Sequence, residues 1–597
     1  MANFLVIIDS NSDRRLRYIE TIRDKLPPIE GLAINSVEIG DFFAIWAYGE
    51  NSYVTSALEK TSAAVVFGRP VGDDVKDEIG AGRILNLWQH DETRVKAFYN
   101  GFYAAIVYDQ FTGLTIGADL LGIFPIYYWN YNGVALVGSS PELFRYHPYF
   151  SVEINPYGLV SILLLTHSFG CETLLKGVKR LGAGKLLRFD DGEICEEIQY
   201  KIRPSMKHYD LPFSAHIDIL SDAIKDTMAR HTPANKNYSL LLSGGMDSRM
   251  LAGFLREQNA DFNAVTMGID SDIEMKTAKR VAKSMGIEQN KIELDYDNYI
   301  NCAEKQAKWE HISNGFNDIF NWGYCKLLNQ NQNLILGHSL DAVIGTRYIN
   351  WAYSAVEKRM SFESFFANLN RWAIKPEILK KLFCNNFYSG IIDEIIKNIK
   401  DTFDGFSEIE SQKAWCFNLY NRQRFHVGAS AFAMSLEAMP VMPAIDRKLL
   451  ECAGAIPAAS IAERRAQMEI LCSRFPKLAR LPIDRNSYDT TPLMPRVRYL
   501  AAQEIRKKLQ KIFKNSTNAK IEQRYYYRIY DFDNKGWKAV RNKAEQYRKM
   551  VYHIFDKDKL NTILPKPQEQ ANLREEIADA SGLKLLTGLM LWSKGNL

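Results

Sequence analysis

Residues 238–248 read Tyr238-Ser239-Leu240-Leu241-Leu242-Ser243-Gly244-Gly245-Met246-Asp247-Ser248, and this stretch decides the fold. A short apolar run hands the chain to a glycine pair, and a helical pattern begins around Arg249. Strand, glycine loop and helix in that order turn several backbone N–H groups toward one anion. Glycine tolerates positive φ, and the first amides of a helix have no partner inside it. Ser243 and Ser248 can add hydroxyl hydrogen bonds to phosphate oxygens. Asp247 would repel bare phosphate, so its place in the loop implies a bridging Mg2+. The G-x-x-x-x-G-K-[ST] spacing of a Walker A loop is absent.

Working outward, Phe213, Ile217, Leu220, Ile224 and Met228 recur at spacings of three and four, which predicts an amphipathic helix before the strand. After the loop come a strand at Ala264–Met267 and a helix with Met275, Ala278, Val281 and Met285 on one face, closed by Gly286. A further strand, Leu334–Leu336, runs into Gly337-His338-Ser339-Leu340-Asp341. Strands alternating with helices imply a parallel sheet covered on both faces, with ligands beyond the carboxyl ends of its strands. Both polar loops fall at such ends. From about residue 350 the pattern is mainly helical.

Residues 1 to about 205 are strand-rich instead, with runs at Phe4–Ile8, Ala63–Phe67, Tyr103–Tyr108 and Leu136–Gly138. Turn residues separate them, as in Asn130-Tyr131-Asn132-Gly133 and Asp190-Asp191-Gly192, which predicts a β or α+β sandwich.

Composition excludes several classes. The 597 residues carry 46% hydrophobic and 24% charged side chains, as a globular protein does. A net charge of +5, from 75 basic and 70 acidic residues, does not announce a nucleic-acid binder. Residues 501–550 hold 14 Lys/Arg against 5 Asp/Glu, a surface for an acidic partner or, on the simpler view, a solvated helical face. Eight cysteines form no C-x-x-C pair and read as reduced thiols. No apolar run approaches the ~18 residues of a membrane span and no signal segment is visible, so a cytoplasmic protein without a membrane partner is expected.

The full Ser243-Gly244-Gly245-x-Asp247-Ser248 loop resembles that of the ATP pyrophosphatases, and further segments narrow the resemblance to the class B asparagine synthetase superfamily. Gly101-Phe102-Tyr103 through Asp109 is similar to the family's G-F-A…D strand. Asp119-Leu-Leu-Gly122-Ile-Phe-Pro125-Ile-Tyr127-Tyr128 resembles its D-x-x-G-x-x-P-L-Y-Y turn. Ser139-Ser140-Pro141-Glu142, Gly177 to Gly184 and Pro440 to Asp446 are similar to further family segments in the family's order. The resemblance implies an N-terminal Ntn-hydrolase-like α+β sandwich (1–205), then an ATP-pyrophosphatase domain with a parallel sheet (206–500), extended by a basic helical region (501–597). It implies ATP and Mg2+ as cofactors, with metal ligands Asp247 and Asp341. ATP would be held by Ser243, Gly244, Gly245, Asp247 and Ser248, and adenine by backbone at Leu241, Leu242, Met267 and Gly268.

Departures from the family pattern are informative. Glutamine-hydrolysing members use a Cys at position 2, whereas this sequence has Ala2, followed by Asn3-Phe4-Leu5. The expectation is a sandwich that keeps the amidase fold without its nucleophile. Members with the same loss include β-lactam synthetases, carbapenam synthetases and lasso-peptide macrolactam cyclases. Three residues before Asp341 stands His338, able to deprotonate an amine near neutral pH or simply to cap a loop. The family's late Lys is missing near Leu481–Tyr488, where Arg485 is the nearest cation. Arg422, Arg424 and His426 form a second polar cluster, suited to an acidic substrate or to a surface helix.

The resemblance thus implies an AMP-forming amide ligase acting on a small-molecule or peptide substrate that carries a carboxylate and an amine. His338 and Arg485 are its catalytic candidates. An asparagine synthase fed by free ammonia, and a non-catalytic ATP-binding scaffold beside a biosynthetic partner protein, are the alternatives. A tRNA-modifying pyrophosphatase fits the sandwich-like first domain poorly.

Overall fold

The computed structural model describes residues 2–73, 79–88, 99–190, 192–328, 333–345, 361–384, 387–485, 487–497, 500, 505, 523–571 and 580–596. Apolar runs that are buried on both sides need cover on both sides, and the first half of the chain supplies it. Among the described residues its strands are β1 (Ala2–Ile8), β2 (Ala33–Ile39), β3 (Phe42–Tyr48), β4 (Val54–Leu58), β5 (Ser62–Gly68), β6 (Tyr103–Asp109), β7 (Gly113–Ala118), β8 (Tyr127–Tyr131), β9 (Val134–Gly138), β10 (Lys179–Arg180), β11 (Lys185–Asp190) and β12 (Glu193–Ile198). They form two six-stranded antiparallel sheets, ordered β10-β8-β9-β1-β3-β2 and β12-β11-β7-β6-β5-β4. Along β1, Phe4, Val6 and Ile8 enter one core, shared with Phe67 and Ile106 of the facing sheet. Leu5 and Ile7 enter another, shared with the helices Ser12–Arg23 and Pro156–Leu165. The helix Ala81–Trp88 packs its buried Ile84, Leu85 and Trp88 on the second sheet. The expected sandwich therefore forms with helices outside both sheets.

The Asn130–Gly133 turn joins β8 to β9 with Asn132 at φ 49° and Gly133 at φ 73°, the positive pair a tight hairpin requires. Asp119 organises the turn after β7, accepting from the N–H groups of Leu121, Ile123 and Phe124 at 3.1, 3.0 and 2.7 Å.

The second half builds a five-stranded sheet from β13 (Asn237–Leu241), β14 (Asp261–Met267), β15 (Gln289–Ile292), β16 (Asn333–Ile335) and β17 (Met439–Val441). Its order is β15-β14-β13-β16-β17, every pair parallel. The expected helices appear at Phe213–His231, Met246–Glu257 and Ile273–Met285, the last capped by Gly286 at φ 65°. Strand order reverses around β13, so the ends of β13 and β16 border the crevice where such sheets bind ligands.

Residues beyond 500 are not a solvated basic appendage where they are described. Arg524, Arg541 and Arg548 are buried, and Arg524 pairs with both Glu274 and Asp484, at 2.8 and 2.7 Å. Arg528 pairs with Asp272 at 2.8 Å and Arg541 with Asp533 at 2.7 Å. Counting charge along the chain cannot see that these cations neutralise internal carboxylates. The helix Ser581–Ser593 is buried along its whole length, and Trp592 Nε1 donates to His311 Nδ1 at 2.8 Å. Residues 501–504 and 506–522 of the basic stretch lie outside the described residues. None of the described helices is long and apolar enough to cross a membrane.

Candidate active site

The loop after β13 turns at Gly244, whose φ is 76°. A Cβ there would lie 2.7 Å from Thr277 Oγ1 and 2.8 Å from Ala278 N, so only glycine lets the loop seat against the helix Ile273–Met285. Gly245 N donates to Ser243 Oγ at 3.2 Å, and the Ser243 and Ser248 hydroxyls are 3.3 Å apart. Gly245 caps the helix Met246–Glu257 without a side-chain bond, leaving the first amides to an anion. Arg249 fastens the loop from below. Its guanidinium donates to Gly244 O at 2.9 Å, Leu478 O at 2.7 Å and Pro482 O at 2.6 Å. Burial pulls its pKa down to about 10, which leaves it cationic at neutral pH.

Asp247, from this loop, and Asp341, from the segment after β16, meet at one guanidinium. Arg464 donates to Asp247 Oδ2 at 3.0 Å and to Asp341 Oδ2 at 3.1 Å. Gln467 Nε2 holds Asp247 Oδ1 at 2.6 Å. Burial, and then the Asp341 charge, push the Asp247 carboxyl above its usual range against the pull of Arg464. Two converging carboxylates are thus balanced by one cation. Glu463 and Arg464 take φ 54° and 61°, two successive non-glycine residues in the left-handed region, at a cost of about 1 kcal/mol or more each. That strain aims Arg464 from the head of the helix Arg465–Arg474 into the paired carboxylates. The donor set also suits Mg2+, which commonly takes one or two carboxylate oxygens and completes its shell with phosphate and water.

His338 is half-buried, and its Nδ1 lies 3.3 Å from Ser430 Oγ. The Ser430 hydroxyl donates to Val427 O at 2.7 Å, so its oxygen accepts the imidazole N–H. In that arrangement the imidazole carries its proton on Nδ1 and Nε2 keeps its lone pair. Burial lowers the His338 pKa, keeping the ring neutral at pH 7. Arg485 follows Asp484, whose N–H donates to Gly244 O of the loop at 3.3 Å. Arg485 itself donates to the carbonyl of Thr491, at 3.3 Å from Nε and 3.0 Å from Nη2, and the guanidinium at the carboxylates is that of Arg464.

The second polar cluster divides. Arg424 is buried and donates to the carbonyls of Gly122, Gly170 and Leu181, so it joins the two domains and is not a substrate group. Arg422 and His426 do line a small cavity, with Trp372 and Tyr526. They project from a π-helical stretch, Leu419–Val427, and His426 Nε2 is 3.3 Å from Asp318 Oδ2. At the expected adenine end, Leu242 N–H donates to Val265 O at 2.8 Å and Gly268 N–H to Ile292 O at 2.8 Å, so both are engaged within the sheet. Tyr525 crosses this end: its ring lies 3.1 Å from where a Gly268 Cβ would stand, and its hydroxyl is 3.9 Å from Met267 Sδ.

The sequence reading names the loop, Asp341 and His338, whereas Arg464, Gln467 and Tyr525 come to this region only through the fold. Glu463-Arg464-Arg465 reads as ordinary charge ahead of a helix, and nothing local ties it to a loop more than 200 residues away.

Two domains of this kind, an amidase-like sandwich and a parallel sheet with a phosphate loop after its central strand, define a two-domain ATP-pyrophosphatase architecture. A family model described as asparagine synthase matches residues 220–336, and one described as a glutamine amidotransferase domain matches residues 80–201. The two matches, in this order along the chain, support membership in the asparagine synthetase superfamily. It is 22% identical over 226 residues to asparagine synthetase [glutamine-hydrolyzing] 1 of Bacillus subtilis, covering 37% of this chain and 35% of that one. A putative asparagine synthetase [glutamine-hydrolyzing] of Mycobacterium bovis is 26% identical over 219 residues, 34% and 32% of the two chains. The chain thus spans about a third of the length of the curated relatives it matches. Among solved structures, the glutamine phosphoribosylpyrophosphate amidotransferase of B. subtilis aligns at 8% identity and a TM-score of 0.24, over 50% of this chain and 92% of that one. At that score the likeness carries no weight beside the strand order.

Proposed function

We propose that the protein is an ATP-dependent, AMP-forming amide ligase, which activates a substrate carboxylate and joins it to an amine not released from glutamine by this chain. The convergence of Asp247 and Asp341 on Arg464 beside an open helix N-terminus carries the reading. The amides at the start of the helix Met246–Glu257, with Ser243 and Ser248, receive the phosphates. Asp247 and Asp341 would hold Mg2+, which when bound neutralises charge on the phosphate oxygens. A carboxylate oxygen attacks the α-phosphorus, the α–β bridging bond breaks, and pyrophosphate leaves into the loop. The amine nitrogen then attacks the acyl carbon, its proton passes to His338 Nε2, and AMP departs with the C–O electron pair. Catalysis is mostly positioning and charge stabilisation. β-Lactam and macrolactam formation are reactions of this class, as is amidation of aspartate by ammonia.

Pyrophosphate release with candidate substrates tests the reading. Asp247→Asn should abolish it, and undiminished release in that variant would refute the site. One observation favours a second reading, an ATP-binding scaffold without turnover: the two carboxylates already possess a protein cation in Arg464. ATP binding without pyrophosphate from any candidate carboxylate would establish that reading instead.

A further inference from the structure

A second cavity shares no lining residue with the 243–248 loop. It opens between the segment 199–208, which joins the two domains, and the helix Arg447–Gly454, and encloses about 530 Å3. One sign of charge dominates its wall. Lys201, Arg203 and Lys207 come from the joining segment, and Arg447 and Lys448 from the helix, with Glu451 as the opposing carboxylate. Lys448 also reaches Asp226. Among the described residues Lys201, Arg203 and Lys207 make no ion pair or hydrogen bond, so three exposed cations converge unneutralised on one hollow.

A second feature points to a ligand. Tyr200 also lines the cavity, is only 9% exposed, and its buried hydroxyl has no hydrogen-bond partner. A buried hydroxyl without a partner is unfavourable, and an acceptor brought to it by a ligand in the cavity would relieve that cost. Burial raises the phenol pKa far above neutrality, so the hydroxyl remains a donor. Unpaired cations at the rim and an unsatisfied donor in the wall together suit a small, multiply charged anion. A single carboxylate would leave most of the cations unused.

We propose that this cavity binds a small molecule bearing two or more linked phosphates, recognised by charge and by the Tyr200 hydroxyl. The site is built on the interdomain seam. Ser205 N donates to Gly454 O at 3.0 Å, and Arg447 N donates to Asn100 Oδ1 of the first domain at 2.8 Å. A bound oligophosphate therefore ties the joining segment to the helix that follows β17, an edge strand of the catalytic sheet. The inference does not rest on the amide-ligase reading, since it uses none of that site's residues.

Calorimetric titration of the full chain with inorganic tripolyphosphate tests it. The phosphate loop is an expected second binding place, so variants apportion the signal. Lys201→Ala/Arg203→Ala/Lys207→Ala should remove one binding event, or weaken it at least tenfold, and leave the other. Tyr200→Phe should weaken the same event severalfold, and rising salt should weaken it further. Asp247→Asn should leave that event intact. The proposal is overturned if the triple variant, with unchanged circular dichroism and melting temperature, titrates like the parent chain. It is equally overturned if poly-glutamate competes more tightly than tripolyphosphate, which would mark the hollow as a docking surface for an acidic protein.

Discussion

At the residue scale, the proposed chemistry rests on Asp247, Asp341, Arg464 and His338. The two aspartates are legible in the sequence because each follows a strand within a short polar loop. Arg464 is not, because its role depends on two left-handed residues that carry no glycine to announce them. His338 yields a pH prediction. A base must be neutral to accept a proton, and burial moves this imidazole below its usual pKa of ~6.5. Turnover should therefore hold from pH 8 down through pH 7 and fall only on an acidic limb beneath that value. In His338→Asn the limb should vanish together with at least a tenfold loss in kcat, read from pH–rate profiles. An unmoved limb would make His338 a loop-capping residue only.

At the element scale, single carboxylates organise whole turns. Asp119 satisfies three buried amides at once, which gives the Asp119–Tyr128 motif its physical content. Burial raises the Asp119 pKa to about 6 despite those three donors. Asp119→Ala should cost about 3 kcal/mol or more, since it strands several donors in the interior. Urea denaturation would measure the loss, and Asp119→Asn should recover part of it. Asp446 begins the helix Arg447–Gly454 and accepts from Arg230 at 2.7 Å and His231 at 3.2 Å. Burial alone would raise its pKa, but the bonds from His231 and Arg230 hold it well below the usual carboxylate range. A depressed folded-state pKa means that its stabilisation is fully present above about pH 4 and is lost as pH falls toward the folded value. Asp446→Asn should accordingly destabilise the protein by about 3 kcal/mol at pH 7. Its deficit against the parent should shrink between pH 4 and pH 2, as thermal melts at each pH would show.

At the scale of the whole molecule, the two domains are fastened by buried polar groups. Arg424 reaches into the first domain to three carbonyls, and burial pulls its pKa down to about 9. Ser140 Oγ returns a bond to Trp309 O at 2.6 Å, and Gly101 N donates to Ile445 O at 2.9 Å. Arg424→Ala leaves those carbonyls without a donor and should loosen the seam. Scanning calorimetry should show one broad transition becoming two, with the earlier lowered by several degrees.

Sequence alone determined the order of the elements, the glycine loop after β13, the two aspartates at the strand ends and the sandwich before them. Each of those signals is local: a period of apolar residues, a glycine where φ must be positive, a polar loop at the end of a strand. What tertiary structure decided is which distant groups meet. It brought Arg464 between the aspartates, turned Arg424 into a fastener, buried Arg524 and Arg541 in ion pairs, and laid Tyr525 over the end of β14. A long charged side chain has the same local pattern whether it faces water or a buried carboxylate. Only the packed fold supplies the partner, and the partner sets its role.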